Sequence, residues 1–317
     1  MEKKLFIEAL EKDNRELFNS LPKSDLHIHG TRGCTRNILE NINNIKFPDV
    51  PRFKDLEEMN SWYEQTISEY VKGKDGLILR YKTMFNDFKN QSIIVASPIL
   101  CLDMAKYFNN DIDLYIKTIK ELIAINSPNI KILPEFSINR GEEVEEVLEK
   151  LEKIKEYDFY KSICLQGNEK IGSKQYEPVY KKARELGLIL KAHVGEFTDV
   201  SNIEEALEYL DLDCIIHGLS LTQSKELMDY VRNHNIMINC CPSSNYHLSR
   251  IKEYSSHPIK EFVRNGIICT INTDDPLIFN KKIMDEYYEL FKNKVLTSEE
   301  LYEVNQNGIN KCLSKRR

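Results

Sequence analysis

The sequence predicts an α/β fold: a single (β/α)8 TIM barrel over residues 1–317, with extra helices between its first strand and its first barrel helix. Three observations carry that prediction. Beyond residue 128, short apolar runs at 130–138, 162–165, 188–193, 214–217, 236–241 and 267–273 alternate with charged amphipathic segments. Apolar strands separated by helices imply a parallel sheet covered on both faces. The strand count approaches eight once the amino-terminal candidates are added, and 317 residues without linker, repeat or low-complexity tract suit one closed barrel.

Taken in order, residues 2–20 carry Leu5, Ile7, Leu10, Leu17 and Phe18 at helical spacing, which predicts a short leading helix. Pro22 marks a turn, and Ser24 to His29 reads as the first strand. Side chains on a strand alternate, so His27 and His29 share a face and offer a metal two imidazoles. A loop with Gly30 and Gly33 follows, and Thr35 is a candidate cap for a turn beginning at Asn37. Between 45 and 89 the pattern becomes helical, with Trp62, Tyr63, Tyr70, Leu77, Tyr81, Met84 and Phe85 as its apolar side; burial statistics make these core. Residues 93–98 are the first candidate for the second strand. Residues 112–116 offer an alternative, but Ile112, Tyr115, Ile116, Ile119, Leu122 and Ile123 fit a helix better. Later helices are read at 142–157, 177–186, 202–210 and 223–234.

The composition excludes several classes of function. A net charge of −6 gives no electrostatic case for a nucleic-acid surface, and the basic tail Lys315-Arg316-Arg317 is too short to change that. No apolar run approaches membrane-spanning length, and the start Met1-Glu2-Lys3-Lys4-Leu5 lacks a signal-peptide core. The 8 cysteines are scattered without Cys-x-x-Cys spacing and read as buried thiols of a reducing compartment. A cytoplasmic location is expected.

In a (β/α)8 barrel the chemistry sits at the carboxyl ends of the strands. Those ends hold His27 and His29, then Gln166-Gly167-Asn168-Glu169, His193 with Glu196, His217-Gly218, Cys241 to Asn245, and Asp274-Asp275. His27, His29, His193 and Asp274 form an N,N,N,O ligand set suited to one zinc or another divalent first-row ion. His217 is placed to orient or deprotonate a water whose pKa that ion lowers. Asp275 can accept a hydrogen bond from substrate or from a neighbouring residue. Glu196, three residues after a ligand histidine, can face the substrate without binding metal, which suits a proton donor. His234, His247 and His257 read as surface, although His247 follows the seventh strand and is within reach of the site.

These residues resemble the adenosine deaminase group of the metal-dependent amidohydrolase superfamily. The motifs are His27-Ile28-His29, His193-Val194-Gly195-Glu196, His217-Gly218, Cys241-Pro242-Ser243-Ser244-Asn245 and Thr273-Asp274-Asp275-Pro276, in family order over almost the whole chain. The resemblance implies a single-zinc barrel that hydrolyses the exocyclic amine of adenosine or deoxyadenosine to inosine or deoxyinosine and ammonia. Hydroxide attacks the amine-bearing ring carbon while Glu196 protonates the neighbouring ring nitrogen. His217 and Asp274 handle the water proton, Asp275 contacts the imidazole side of the purine, and Gly167 supplies a backbone group. The partner is thus a small purine nucleoside or derivative, with adenine, an adenine nucleotide, an N6- or 5′-modified adenosine, or non-catalytic nucleoside binding as alternatives. The run Gly30-Thr31-Arg32-Gly33 departs from the family pattern. It makes Thr31 and Arg32 candidate substrate contacts, and a guanidinium there would favour an anionic group.

Overall fold

The computed structural model describes residues 2–312, so the basic tail at Lys315 to Arg317 lies outside the described residues. Its strands are β1 (Lys23–His29), β2 (Ile93–Ile99), β3 (Lys131–Ile132), β4 (Glu135–Asn139), β5 (Ser162–Gln166), β6 (Ile189–Val194), β7 (Cys214–His217), β8 (Met237–Cys240) and β9 (Cys269–Ile271). All pair in parallel in the order β1-β2-β4-β5-β6-β7-β8-β9, with β3 beside β2. The predicted strand at 130–138 is split because Pro134 has no N–H for the ladder, so β3 and β4 together make one stave. The eight staves nearly close, and the ends meet through a bridge between Ile28 and Asp274. There the Asp274 N–H donates to the His27 carbonyl at 3.1 Å, and the His29 N–H donates to the Asp274 carbonyl at 2.8 Å.

Residues 93–99 are the second strand, and Ile112–Asn126 is a helix whose N-cap Asp111 accepts from the Leu114 N–H at 2.8 Å. The expected leading helix is two helices, Glu2–Glu11 and Arg15–Ser20, broken where Asp13 takes a left-handed φ of 49°. Thr35 is not a cap: Arg36 holds the N-cap position of Asn37–Asn43, and Thr35 instead donates its N–H to Asp87 Oδ2 at 2.8 Å. Tyr70 is exposed, unlike the other aromatic residues predicted for that core face.

The extra helices Asn37–Asn43 and Leu56–Thr66 stand between β1 and the long helix Gly73–Asn90. Arginines tie this insertion across the barrel rim. Arg36 donates to the carbonyls of Leu277 (2.9 Å), Pro48 (3.1 Å) and Ile278, and its guanidinium stacks on Trp62. Arg52 donates to the carbonyls of Ile251 and Lys252, and Arg250 to that of Lys54.

The main apolar core lies between strands and helices, and a smaller cluster of Leu26, Val95, Leu133, Cys164, Cys214, Ile216 and Met237 packs separately from it. Leu26 joins that cluster because β1 carries a register shift between Asp25 and Ile28. A buried pair, Lys191 Nζ to Glu135 Oε2 at 2.5 Å, sits beside this cluster; Lys191 also donates to the Leu26 carbonyl (3.0 Å) and Ser97 Oγ (3.1 Å). Six of the cysteines are buried, Cys101 and Cys312 are half-buried, and all are free thiols. Among the described residues no helix is long and apolar enough to cross a membrane.

Candidate active site

The strand ends bring the predicted residues to one place. His27 Nε2 lies 3.2 Å from His193 Nε2 and 3.3 Å from Asp274 Oδ1, and His29 Nε2 lies 3.2 Å from the same Asp274 oxygen. Four donors bound tetrahedrally at about 2.0–2.1 Å would stand about 3.3 Å apart, so the spacing fits a small divalent ion. The tautomer of His193 fits as well. Its Nδ1 lies 3.3 Å from both the Leu165 carbonyl and Cys164 Sγ; the carbonyl can only accept, so the Nδ1–H tautomer satisfies it and turns the Nε2 lone pair to the other donors. His27, His29 and His193 present nitrogens within 4.8 Å of one another. His217 and Cys241 form a second such group with His27 and Asp274.

Asp274 (φ 63°) and His217 (φ 65°) hold left-handed backbone that non-glycine residues rarely adopt. The Asp25 carboxylate stabilises the first of these bends by accepting from the Thr273 N–H (3.3 Å) and Oγ1 (2.5 Å). Asp25 carries no predicted role, although it stands within the His-x-His strand.

Burial disfavours charge throughout the cluster. It raises Asp274, but hydrogen bonds from His27 and His29 outweigh it and hold that carboxyl well below the usual range. Burial and the neighbouring histidines push His193 well below its ordinary value, and burial takes His217 down to about 3. His29 goes the other way: burial lowers it, but Asp275 and Asp274 raise it overall.

Glu196 is buried beside these groups, with Oε2 3.5 Å from His217 Nε2. Burial, then the charges of Asp274 and Glu169, push its carboxyl well above the ordinary range, which favours the protonated form. Its backbone is held by a residue with no predicted role of its own. The Glu169 carboxylate accepts from the N–H groups of Glu196 (3.2 Å) and Phe197 (3.1 Å) and from Thr198 Oγ1 (2.7 Å). Gly195 precedes this anchor at φ 71°, where a Cβ would meet Ile203 and Ser220 at 2.5 Å.

Asn245 donates to Glu196 Oε1 at 3.1 Å and stands 3.1 Å from His217 Nδ1. The sequence motif contained Asn245 without assigning its task. His257, expected at the surface, is buried and bonded to Asn245, because the turn Tyr254–Ser256 folds it back under the rim. His247 is half-buried, stacks on Phe279 and does not join the cluster; its Nδ1 lies 3.0 Å from the Pro51 carbonyl. His234 is exposed, as expected.

A cavity of about 310 Å³ opens over the cluster, lined by His29, Thr31, Arg32, Gly167, Glu196 and Asp275 among others. Small-molecule sites begin at about this size. Arg32 does not turn outward. It donates to Asn60 Oδ1 at 2.7 Å, lies 3.4 Å from Asp275 Oδ2, and stacks its guanidinium on Tyr63. Asp275 occupies the N-cap position of the helix Pro276–Phe279 but caps nothing with its side chain. Its Oδ1 is buried without a hydrogen-bond partner.

Three imidazoles and a carboxylate, with a second carboxyl raised by burial beside them on a (β/α)8 rim, are the equipment of a metal-assisted hydrolase. A family profile described as adenosine deaminase matches residues 119–316. An adenosine deaminase of Plasmodium gallinaceum is 28% identical over 98% of this chain and 91% of its own length. An adenine deaminase of Psychrobacter cryohalolentis is 27% identical, covering 92% of each chain. The apo structure of an N6-methyl-AMP deaminase from Arabidopsis thaliana superposes with a TM-score of 0.79 at 17% identity, over 95% of this chain and 94% of that one. The chain belongs to the adenosine deaminase family, a family of metal-dependent enzymes, and is a hydrolytic deaminase.

Proposed function

We propose that residues 1–317 act as one catalytic domain that deaminates an adenosine-type purine, adenosine or deoxyadenosine, with one zinc ion per chain. His27, His29, His193 and Asp274 would hold the ion. When bound, it supplies Lewis acidity that eases deprotonation of a water near neutral pH. The other steps belong to side chains. His217 and Asp274 direct the water at the amine-bearing ring carbon and manage its proton. Glu196 gives its proton to the adjacent ring nitrogen; the proton that Asp274 takes from the water then passes to the amine, which leaves as ammonia, and the hydroxyl proton returns to Glu196 as the ring carbonyl forms. Gly167, Thr31, Arg32 and Asp275 contact the substrate from the cavity wall.

The observation that carries this reading is the buried Glu196 carboxyl, pushed well above its ordinary range, with Oε2 3.5 Å from His217 Nε2 at the edge of the donor cluster. A carboxyl whose protonated form is favoured by burial can give a proton, and a hydrolase acting on an already activated ester would not need one there. A second reading, an adenine nucleotide, is favoured by the guanidinium of Arg32 on the cavity wall.

The test is an ammonia-release screen on the zinc-loaded protein with adenosine, deoxyadenosine, adenine, AMP and N6- or 5′-modified adenosines. Release from adenosine or deoxyadenosine with the highest kcat/KM is expected. Silence across the panel with metal bound would sink the proposal.

A further inference from the structure

We infer that His257 is a positioning residue for the deamination: through Asn245 it fixes Glu196 and holds His217 in the tautomer with its proton on Nε2. This rests on the proposed function for its catalytic meaning, but its geometry stands without it.

The chain of assignment begins at a donor with no ambiguity. The Ile259 backbone N–H donates to His257 Nδ1 at 3.0 Å, so Nδ1 is an acceptor and the proton of the neutral ring is on Nε2. His257 Nε2 faces Asn245 Oδ1 at 3.2 Å, which identifies that atom as the amide oxygen. Both amide hydrogens of Asn245 then point the other way. One goes to Glu196 Oε1 and the other to His217 Nδ1, each at 3.1 Å. His217 Nδ1 is therefore an acceptor, and its proton is on Nε2, the nitrogen that faces Glu196.

Flipping the Asn245 amide would set its NH2 against the His257 N–H and leave that donor unpaired. His257, Asn245 and His217 are each no more than 2% exposed, so water cannot repair the mismatch. Burial also keeps His257 neutral, down to about 3, so it does not switch tautomer by charging.

The consequence concerns the step that the sequence left open between orienting and deprotonating. With its proton on Nε2, His217 has no lone pair to offer the water. It aims an N–H at the water oxygen, and the water proton passes to the Asp274 carboxylate. The same Asn245 amide keeps Glu196 Oε1 occupied, leaving Oε2 to carry the proton for the ring nitrogen.

The test reads tautomers and rates together in the metal-loaded, full-length chain labelled with histidine-15N. In the wild type, His217 should show the Nε2–H tautomer. Asn245→Asp, whose carboxylate only accepts, should turn His217 to Nδ1–H. His257→Leu should lower kcat by about 10- to 100-fold, as loss of groups supporting ligand shells does. Metal content and KM should stay within about twofold, the signature of an effect confined to the reaction step. His257→Gln, whose amide can still donate to Asn245, should recover most of the rate. An Nδ1–H tautomer in the wild type overturns the inference, as does unchanged kcat in His257→Leu or equal losses in the Leu and Gln variants. A wild type silent on every purine would instead overturn the proposed function, and the tautomers would still decide the relay.

Discussion

Asp274 is joined to His27 twice, through its backbone N–H to the His27 carbonyl at 3.1 Å and through Oδ1 to His27 Nε2 at 3.3 Å. The first contact closes the barrel and the second builds the donor cluster. Closing the sheet and assembling the site are one event, so an ion held there should stabilise the whole barrel.

Dialysis against a chelator should remove one divalent ion per chain, abolish activity and lower Tm, and zinc should restore all three. An ion at about 1,000 times its Kd would add about 4 kcal/mol by mass action. Elemental analysis and calorimetry read both effects. His193→Ala and Asp274→Ala should purify without the ion, and metal-replete variants at either position would contradict the ligand assignment.

Glu196→Gln keeps the shape of the side chain and removes the proton. Its kcat should fall by about 10²- to 10⁴-fold, the range for lost general acid catalysis, with metal content unchanged. Steady-state kinetics beside elemental analysis separates this from ligand loss; wild-type kcat would exclude the proton-donor role.

Arg32→Ala frees Asp275 and Asn60 from a shared partner. It should lower kcat/KM on accepted purines by about tenfold or more, the scale of one charged hydrogen bond. A loss several-fold greater on AMP than on adenosine would favour the nucleotide reading. Equal activity on every substrate would remove Arg32 from the site.

Stability should depend on pH through Glu286, a buried carboxyl whose Oε2 accepts from the Ser243 N–H at 2.9 Å. Burial raises it from 4.5 to about 8 in the folded protein. Between those values the folded chain keeps a proton that the unfolded chain has lost, so raising the pH favours unfolding. Denaturation midpoints should fall as pH climbs from about 4.5 to 8, and Glu286→Gln should flatten that slope. An unchanged slope in the variant would place the dependence elsewhere.

Gly308 lies where the helix Ser298–Lys311 meets the barrel, and a Cβ there would stand 1.9 Å from Ser24 Oγ. Gly308→Ala should therefore destabilise by about 1–3 kcal/mol, the cost of overpacking, despite better helix propensity. Urea denaturation measures it, and a gain in stability would mean that the helix slides freely.

Much of the fold was legible because each stave repeats one local pattern. Apolar runs placed seven strands to within a few residues, and Pro134 alone explains the split in the eighth. The residues of the cluster were legible because a barrel confines chemistry to strand ends, so a list of those ends is already a list of neighbours. Thr35 and Tyr70 depart from expectation for a local reason. A polar residue before a helix and a tyrosine at helical spacing look the same whether or not a tertiary contact claims them.

That His27, His29, His193 and Asp274 meet at one rim was legible in the sequence alone, because they stand at the carboxyl ends of barrel strands. The tertiary structure decided the supporting atoms. Whether Arg32 faces Asp275, which carboxylate anchors Glu196, and that His257 lies buried against Asn245 all depend on loops that fold back over the rim. Strand periodicity fixes which way a side chain points, but it carries no information about the path of a loop. The proton positions of His193 and His217 follow only from partners remote in sequence, because a ring's tautomer is set by what its other nitrogen meets.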